Sequence, residues 1–203
     1  MPRHHAPISD PHFDLKHGVL KNIPGFTEQV LLDKFERIQA TKALLDLQMN
    51  PVRGQFDAAH ICKIHERIFK NIYPWAGEFR QVNIRRSASY YFAMVQFLEK
   101  NLNRTLEKLA AENRLRGLDI DTFSVRAAHY LGELNTIHPF REGNGRAQRE
   151  FIRELAAEAG YRINWARVTR NEMYDASVES HNLGKNAALA ALIYKAIEQL
   201  KKR

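Results

Sequence analysis

The segment His138-Pro139-Phe140-Arg141-Glu142-Gly143-Asn144-Gly145-Arg146-Ala147-Gln148-Arg149 concentrates residues that can do chemistry. Gly143-Asn144-Gly145 can take backbone angles closed to most residues, so successive N–H groups can converge on one point. At the start of a helix such a nest attracts an anion, because unpaired N–H groups and the helix dipole both favour negative charge. Arg146 and Arg149 lie three residues apart in the first turns of the helix expected to follow, and so on one face. Cations there are disfavoured by ~0.3–1 kcal/mol each unless something compensates them. Glu142 and Glu150 can offset part of this, and a bound polyphosphate would offset the rest and account for the glycines. A glycine-rich loop with arginines reaching solvent is the plainer account. Two arginines, an acid and a histidine together favour the anion site.

A carboxylate beside a phosphate nest repels its ligand unless a divalent cation lies between them. Glu142 is therefore read as a Mg²⁺ ligand that holds the ion against phosphate oxygens. His138 has an ordinary pKa near neutrality, as a general base needs to take a proton from a hydroxyl. Phe140, the one large apolar side chain among polar neighbours, is assigned to packing.

The elements that must position this loop follow from periodicity and caps. Helices are expected from Thr27 as N-cap to about residue 50, over 57–71, 93–112 and 121–136, from Gly145 to Gly160, from the capping box Thr169–Glu172 to about Ser180, and over 185–200. The first would use Val30, Leu31, Phe35, Ile38, Leu44, Leu45 and Leu47 as its apolar positions. Between Gly77 and Phe92, aromatic and β-branched residues flank a polar turn and predict a short hairpin. The fold class is mostly α: a helical bundle with one small β-hairpin flap. Residues 1–25, with His4, His5, His12 and His17 among turn signals, read as an N-terminal surface extension, and 26–203 as one domain.

Composition narrows the class further. The chain has 203 residues, 44% hydrophobic and 27% charged, as a globular domain requires. No stretch approaches the ~20 apolar residues of a membrane span, and no secretory h-region is visible. Cys62 is the only cysteine and sits in a helical apolar pattern, so it reads as a core residue in a reducing compartment, and the expected location is cytoplasmic. The net charge of +8 suggests an anionic partner without naming one. Nucleic acid is disfavoured, because no helix-turn-helix, zinc or stacking motif accompanies Arg85-Arg86 or Lys201-Lys202-Arg203. His60 and His65, five residues apart, fall on different sides of a helix and match no metal site.

The segment from His138 to Arg149 matches H-x-F-x-[DE]-G-N-G-R-x-x-R at every specified position and so resembles the Fic family. Trp75-Ala76-Gly77-Glu78-Phe79-Arg80 resembles that family's approach to its flap, and the resemblance extends over about residues 15–200. It implies a Fic fold and a protein adenylyltransferase, which moves AMP from ATP to a hydroxyl of a Ser, Thr or Tyr on a target protein. By the same resemblance His138 is the base, and Glu142 holds Mg²⁺ between the α- and β-phosphates. Gly143, Asn144 and Gly145 form the anion hole, and Arg146 and Arg149 hold the outer phosphates. Val82, Asn83 and Ile84 lie along the flap edge that docks the target, and Tyr174 and Asn182 fall near the family's nucleobase contacts.

Many Fic proteins carry an inhibitory helix with the pattern [ST]-x-x-x-E-[GN]. Here Glu is followed by Gly or Asn only at Glu142-Gly143 and Glu112-Asn113, and the residues four before are His138 and Lys108. The chain thus lacks that brake, whose partner would be Arg149. The expectation is a toxin-like enzyme restrained by a separate small antitoxin that supplies the glutamate. Short members of the family modify type II topoisomerase subunits, which makes such a subunit a candidate target. The alternatives within the fold are a Doc-like kinase, disfavoured by the intact second glycine, and transfer of another nucleotide or of phosphocholine.

Overall fold

Caps written in the sequence set the limits of several helices. A computed structural model describes residues 10–87 and 90–198. In it, Asp57 accepts from the His60 N–H at 2.8 Å and opens α2 (Ala58–Phe69). Asp119 accepts from the N–H groups of Asp121 and Thr122 and opens α4 (Ile120–Ile137). Thr169 and Glu172 form the expected reciprocal capping box at the start of α6 (Arg170–Leu183). The other helices are α1 (Gln29–Met49), α3 (Val95–Ala111), α5 (Asn144–Glu158) and α7 (Ala187–Ala196). No described helix is long and apolar enough to cross a membrane.

Helix α4 is the central element and packs against α3, α5, α6 and α7. Its Phe123, Ala127, Tyr130, Leu131 and Leu134 meet a common core with Phe151, Ile152 and Leu155 of α5 and Leu189 and Ile193 of α7. Each fully buried Leu, Ile or Phe contributes about 1.5–3 kcal/mol of transfer free energy. On the other side, α2 lies between α5 and α1. Two core helices thus hold the His138–Arg149 loop between them.

The structure differs from the sequence reading in three places. The two-stranded sheet is not the flap: it pairs β1 (Phe13–Asp14) with β2 (Val19–Leu20), antiparallel, inside the expected N-terminal extension. Val19 and Leu20 are core residues and His12 is buried against Trp75, so this stretch is no surface tail from Asp10 onward. His4 and His5 lie outside the described residues, as do Lys201, Lys202 and Arg203. The flap turns back on itself through a single antiparallel bridge among the described residues, Arg85 to Tyr91, and Val82, Ile84 and Phe92 make a small cluster of their own. Helix α1 buries Leu32, Glu36, Ala40 and Leu47 and packs Phe35 and Leu44 against the core; of its expected apolar positions Val30, Leu31, Ile38 and Leu45 are exposed.

Candidate active site

His138 ends α4 in a left-handed conformation (φ 50°, ψ 64°), which is costly for a residue with a side chain. Its N–H donates to the Leu134 carbonyl at 2.9 Å. The imidazole Nδ1 lies 3.2 Å from the Asn135 carbonyl, which can only accept, so Nδ1 carries the hydrogen. In the neutral ring Nε2 is then the basic nitrogen. Phe92 of the flap stacks on the imidazole at 3.7 Å and fixes its plane.

The loop after His138 is stapled from within. Asn144 is buried, and its side chain accepts from the Phe140 N–H at 2.8 Å and donates to the Phe140 carbonyl at 2.7 Å. Phe140 is fully buried, in the packing role expected for it. Gly143, at φ 80°, caps α5, and a Cβ there would meet the Phe69 ring at 2.3 Å, so both backbone and space require glycine. Asn144 and Gly145 occupy the first helical positions, whose N–H groups have no intrahelical acceptor. His138, Glu142, Gly143, Asn144, Gly145, Arg146 and Arg149 line a small cavity of about 160 Å³. The residues chosen from the sequence as an anion cradle are therefore together.

The two arginines are not equivalent. Arg146 lies 2.8 Å from the buried Glu36 carboxylate and 3.6 Å from Glu142, and its guanidinium sits over the Phe69 ring. Tyr73 also donates to Glu36. The Arg149 guanidinium makes no ion pair or hydrogen bond among the described residues. Burial, with Arg146 close by, lowers its pKa to about 10, so it stays charged at neutral pH. Its Nη1 lies 3.3 Å from where a Cβ on Gly145 would stand. A charged, largely buried group without a partner among the described residues is a candidate anion site. Glu142 is the only carboxylate lining the small cavity, and its Oε1 accepts from the Gly143 N–H at 2.9 Å. One carboxylate beside a phosphate cradle suits a hard divalent ion that completes its shell with phosphate oxygens and water.

Several supporting residues escaped the sequence reading. His65 is fully buried: its Nδ1 accepts from the Gly77 N–H at 2.9 Å, and its Nε2 donates to the Glu142 carbonyl at 3.0 Å. Burial pushes its pKa down to about 4, and the ring stacks on Phe140. Arg141 forms a buried ion pair with Asp10 at 2.6 Å, tying the loop to the N-terminal strands. Arg80 bonds carbonyls on α4 and on the flap. Of these only Arg80 had any sequence signal, as the last residue of the Trp75–Arg80 segment. Cys62, by contrast, is held unreactive, with burial raising its thiol to about 12.

A larger cleft of about 1200 Å³ runs from His138 and Arg149 past Tyr174 of α6 to Trp165. Tyr174 lines it; Asn182 does not. Arg86 of the flap lines it too, with its guanidinium near the Tyr174 and Phe92 rings. Among the target-docking candidates, Val82 and Ile84 have buried side chains, while Asn83 is exposed and accepts from the Val95 N–H at 2.8 Å. The N–H groups of Val82, Asn83 and Ile84 donate to nothing among the described residues.

Comparison with known proteins places this geometry. Residues 55–156 match the model of the Fic/DOC family. Over 185 residues the chain is 44% identical to a protein adenylyltransferase, VbhT, of Bartonella schoenbuchensis, covering 91% of this chain and 38% of that protein. It therefore spans well under half the length of that relative. It is 32% identical over 191 residues to a probable protein adenylyltransferase, Fic, of Salmonella typhimurium, covering 94% and 93% of the two chains. Among solved structures, the BepC protein of Bartonella tribocorum with bound AMPPNP superposes with a TM-score of 0.88 at 26% identity, over 94% of this chain and 97% of that one. The chain belongs to the Fic/DOC family.

Proposed function

We propose that the chain is a protein adenylyltransferase that moves AMP from ATP to a Ser, Thr or Tyr hydroxyl of another protein. The observation that carries this reading is a base, Nε2 of His138, at the rim of a cradle whose Arg149 has no carboxylate partner among the described residues. His138 takes the hydroxyl proton while the hydroxyl oxygen forms a bond to the α-phosphorus. The bond from that phosphorus to the bridging oxygen breaks, and pyrophosphate leaves. Arg146 and Arg149 hold the outer phosphates, and the N–H groups of Gly143, Asn144 and Gly145 face the developing charge. Glu142 would hold Mg²⁺, which would supply charge neutralisation at the phosphates. Tyr174 is a wall of the nucleoside part of the cleft. The unpaired N–H groups of Val82, Asn83 and Ile84 offer an edge on which an extended target segment adds a strand.

The test is transfer from ATP labelled at the α- or the γ-phosphate, with Mg²⁺ and a lysate, comparing wild type with His138→Ala. Label passing only from the α-position and lost in the variant supports the reading. Label from the γ-position makes the enzyme a kinase. A type II topoisomerase subunit is the first purified target to try.

The same unpartnered Arg149 supports restraint by a separate protein. The large cleft beside it is also lined by Arg86 and Arg170, which form no ion pair among the described residues, a setting for an acidic segment that brings a glutamate to Arg149. On this reading the enzyme works in the cytoplasm as one half of a toxin–antitoxin pair. Purified protein, expressed alone, should transfer AMP unaided. Inactivity with native targets and no bound inhibitor would sink the idea of a separate brake.

A further inference from the structure

The end of α4 presents the orphan carbonyls that every helix C-terminus leaves, and here they lie in the interior. Almost all are answered by groups outside the helix. Leu134 accepts from the His138 N–H and from Gln148 Nε2, and Asn135 accepts from the His138 ring. Thr136 accepts from the Ala93 N–H at 3.0 Å, and Pro139 from the Arg80 N–H at 2.9 Å. The two that remain, Ile137 and His138, both accept from the Arg80 guanidinium, at 3.2 Å and 2.8 Å. The same guanidinium donates to Val82 at 2.8 Å, where the chain enters the flap, and to Ala93, where it leaves.

Arg80 is 2% exposed and pairs with no carboxylate among the described residues. Burial lowers its pKa to about 10, and it remains a cation at neutral pH. What balances it is a ring of four carbonyl dipoles, two of them at the negative end of a helix. A planar group with five donors can meet four carbonyls at once; a lysine ammonium, with three donors on one point, cannot.

We propose that Arg80 is a positioning residue that joins the backbone of His138 to both stems of the flap, so that a target strand seated on the flap arrives in register with the imidazole. This rests on the assignment of His138 as base and of the flap as docking edge. The left-handed backbone of His138 is held because its carbonyl is taken on one side and its N–H on the other. Arg80 touches no substrate and acts through the two elements it joins.

Two measurements on the full chain decide the matter. Native-state hydrogen exchange reads the joint without any reaction. In the wild type the amides of Arg80, Phe92, Ala93 and His138 should open together, with one shared dependence on denaturant. A flap that opens while the His138 amide keeps its protection overturns the proposal. Arg80→Lys should raise exchange at Phe92 and Ala93 about tenfold while leaving α2 and α5 as they are. In the transfer assay the same variant should lose about 100-fold in kcat and raise KM for the target, with ATP affinity by calorimetry within about twofold of wild type. An unchanged kcat, or an ATP affinity that falls in step with kcat, counts against it. If Arg80→Lys does not fold, the wild-type exchange pattern still decides. A wild type that transfers no AMP would remove the assigned reaction while leaving the exchange result to stand or fall alone.

Discussion

Arg149 and Arg153 stand one turn apart on α5, and the protein treats them in opposite ways. Arg153 bonds both oxygens of Glu150 at 2.6–3.1 Å and the Leu47 carbonyl at 3.1 Å. Glu154 in the same turn accepts from the Val52 N–H and pairs with His60 at 2.9 Å. Every charge there is answered by the fold. Arg149, nearer the helix N-terminus where a cation is least welcome, is answered by nothing among the described residues. Two residues of one type on one helix therefore separate scaffold from site, and the difference lies in their partners. Helix α2 tethers both ends of α5 with a histidine: His65 holds the Glu142 carbonyl at the front, and His60 holds Glu154 at the back.

Exchanging these roles by mutation tests the contrast. The largest effect is expected for Arg149→Ala: ATP affinity by calorimetry should fall about 1000-fold, the worth of two charge-assisted hydrogen bonds. Its melting temperature should hold or rise, since an uncompensated cation leaves a helix N-terminus. A variant that loses stability in step with affinity would show Arg149 to be scaffold after all. Arg153→Ala should do the reverse. It strands Glu150, whose pKa burial already raises, and should cost about 3 kcal/mol in urea unfolding with ATP affinity little changed.

The front tether should respond to acid. The folded state depresses the His65 pKa from 6.5 to about 4, so between those values the unfolded chain binds the extra proton. Stability contributed by neutral His65 is therefore complete above about pH 6.5 and falls as pH drops towards 4, by up to about 3 kcal/mol. His65→Gln should flatten that part of the stability profile, and an unchanged slope would assign the acid sensitivity elsewhere. The smallest effect is expected for Gly145→Ala, whose Cβ would crowd Arg149 Nη1. It should cost about tenfold in ATP affinity, and wild-type affinity would mean that Arg149 is free to move aside.

The candidate site loop was legible because its parts are contiguous: glycines, acid, arginines and histidine fall within one turn and the start of one helix. The helices were legible through period and caps, with the Thr169 box as the clearest instance. What escaped was joined across the chain. Glu36 meets Arg146 over 110 residues and Asp10 meets Arg141 over 131, and no local pattern announces either. The first 25 residues look like a tail because Pro, Gly and His dominate them, yet Asp10 neutralises a buried cation. The flap looked like a hairpin because its apolar residues alternate, whereas their burial in a separate cluster and the capture of Val82 and Ala93 carbonyls by Arg80 leave one bridge.

The link between Asp10 and Arg141 also sets a timetable. On a ribosome adding about 5–20 residues per second, the carboxylate waits roughly ten seconds for its arginine. During that interval helices α1 to α3 can form and pair, but the proposed phosphate cradle has neither its backing nor its loop. Completion of the candidate site is thus a late product of synthesis, reached when the last long-range pairs close around a loop that local folding could not finish.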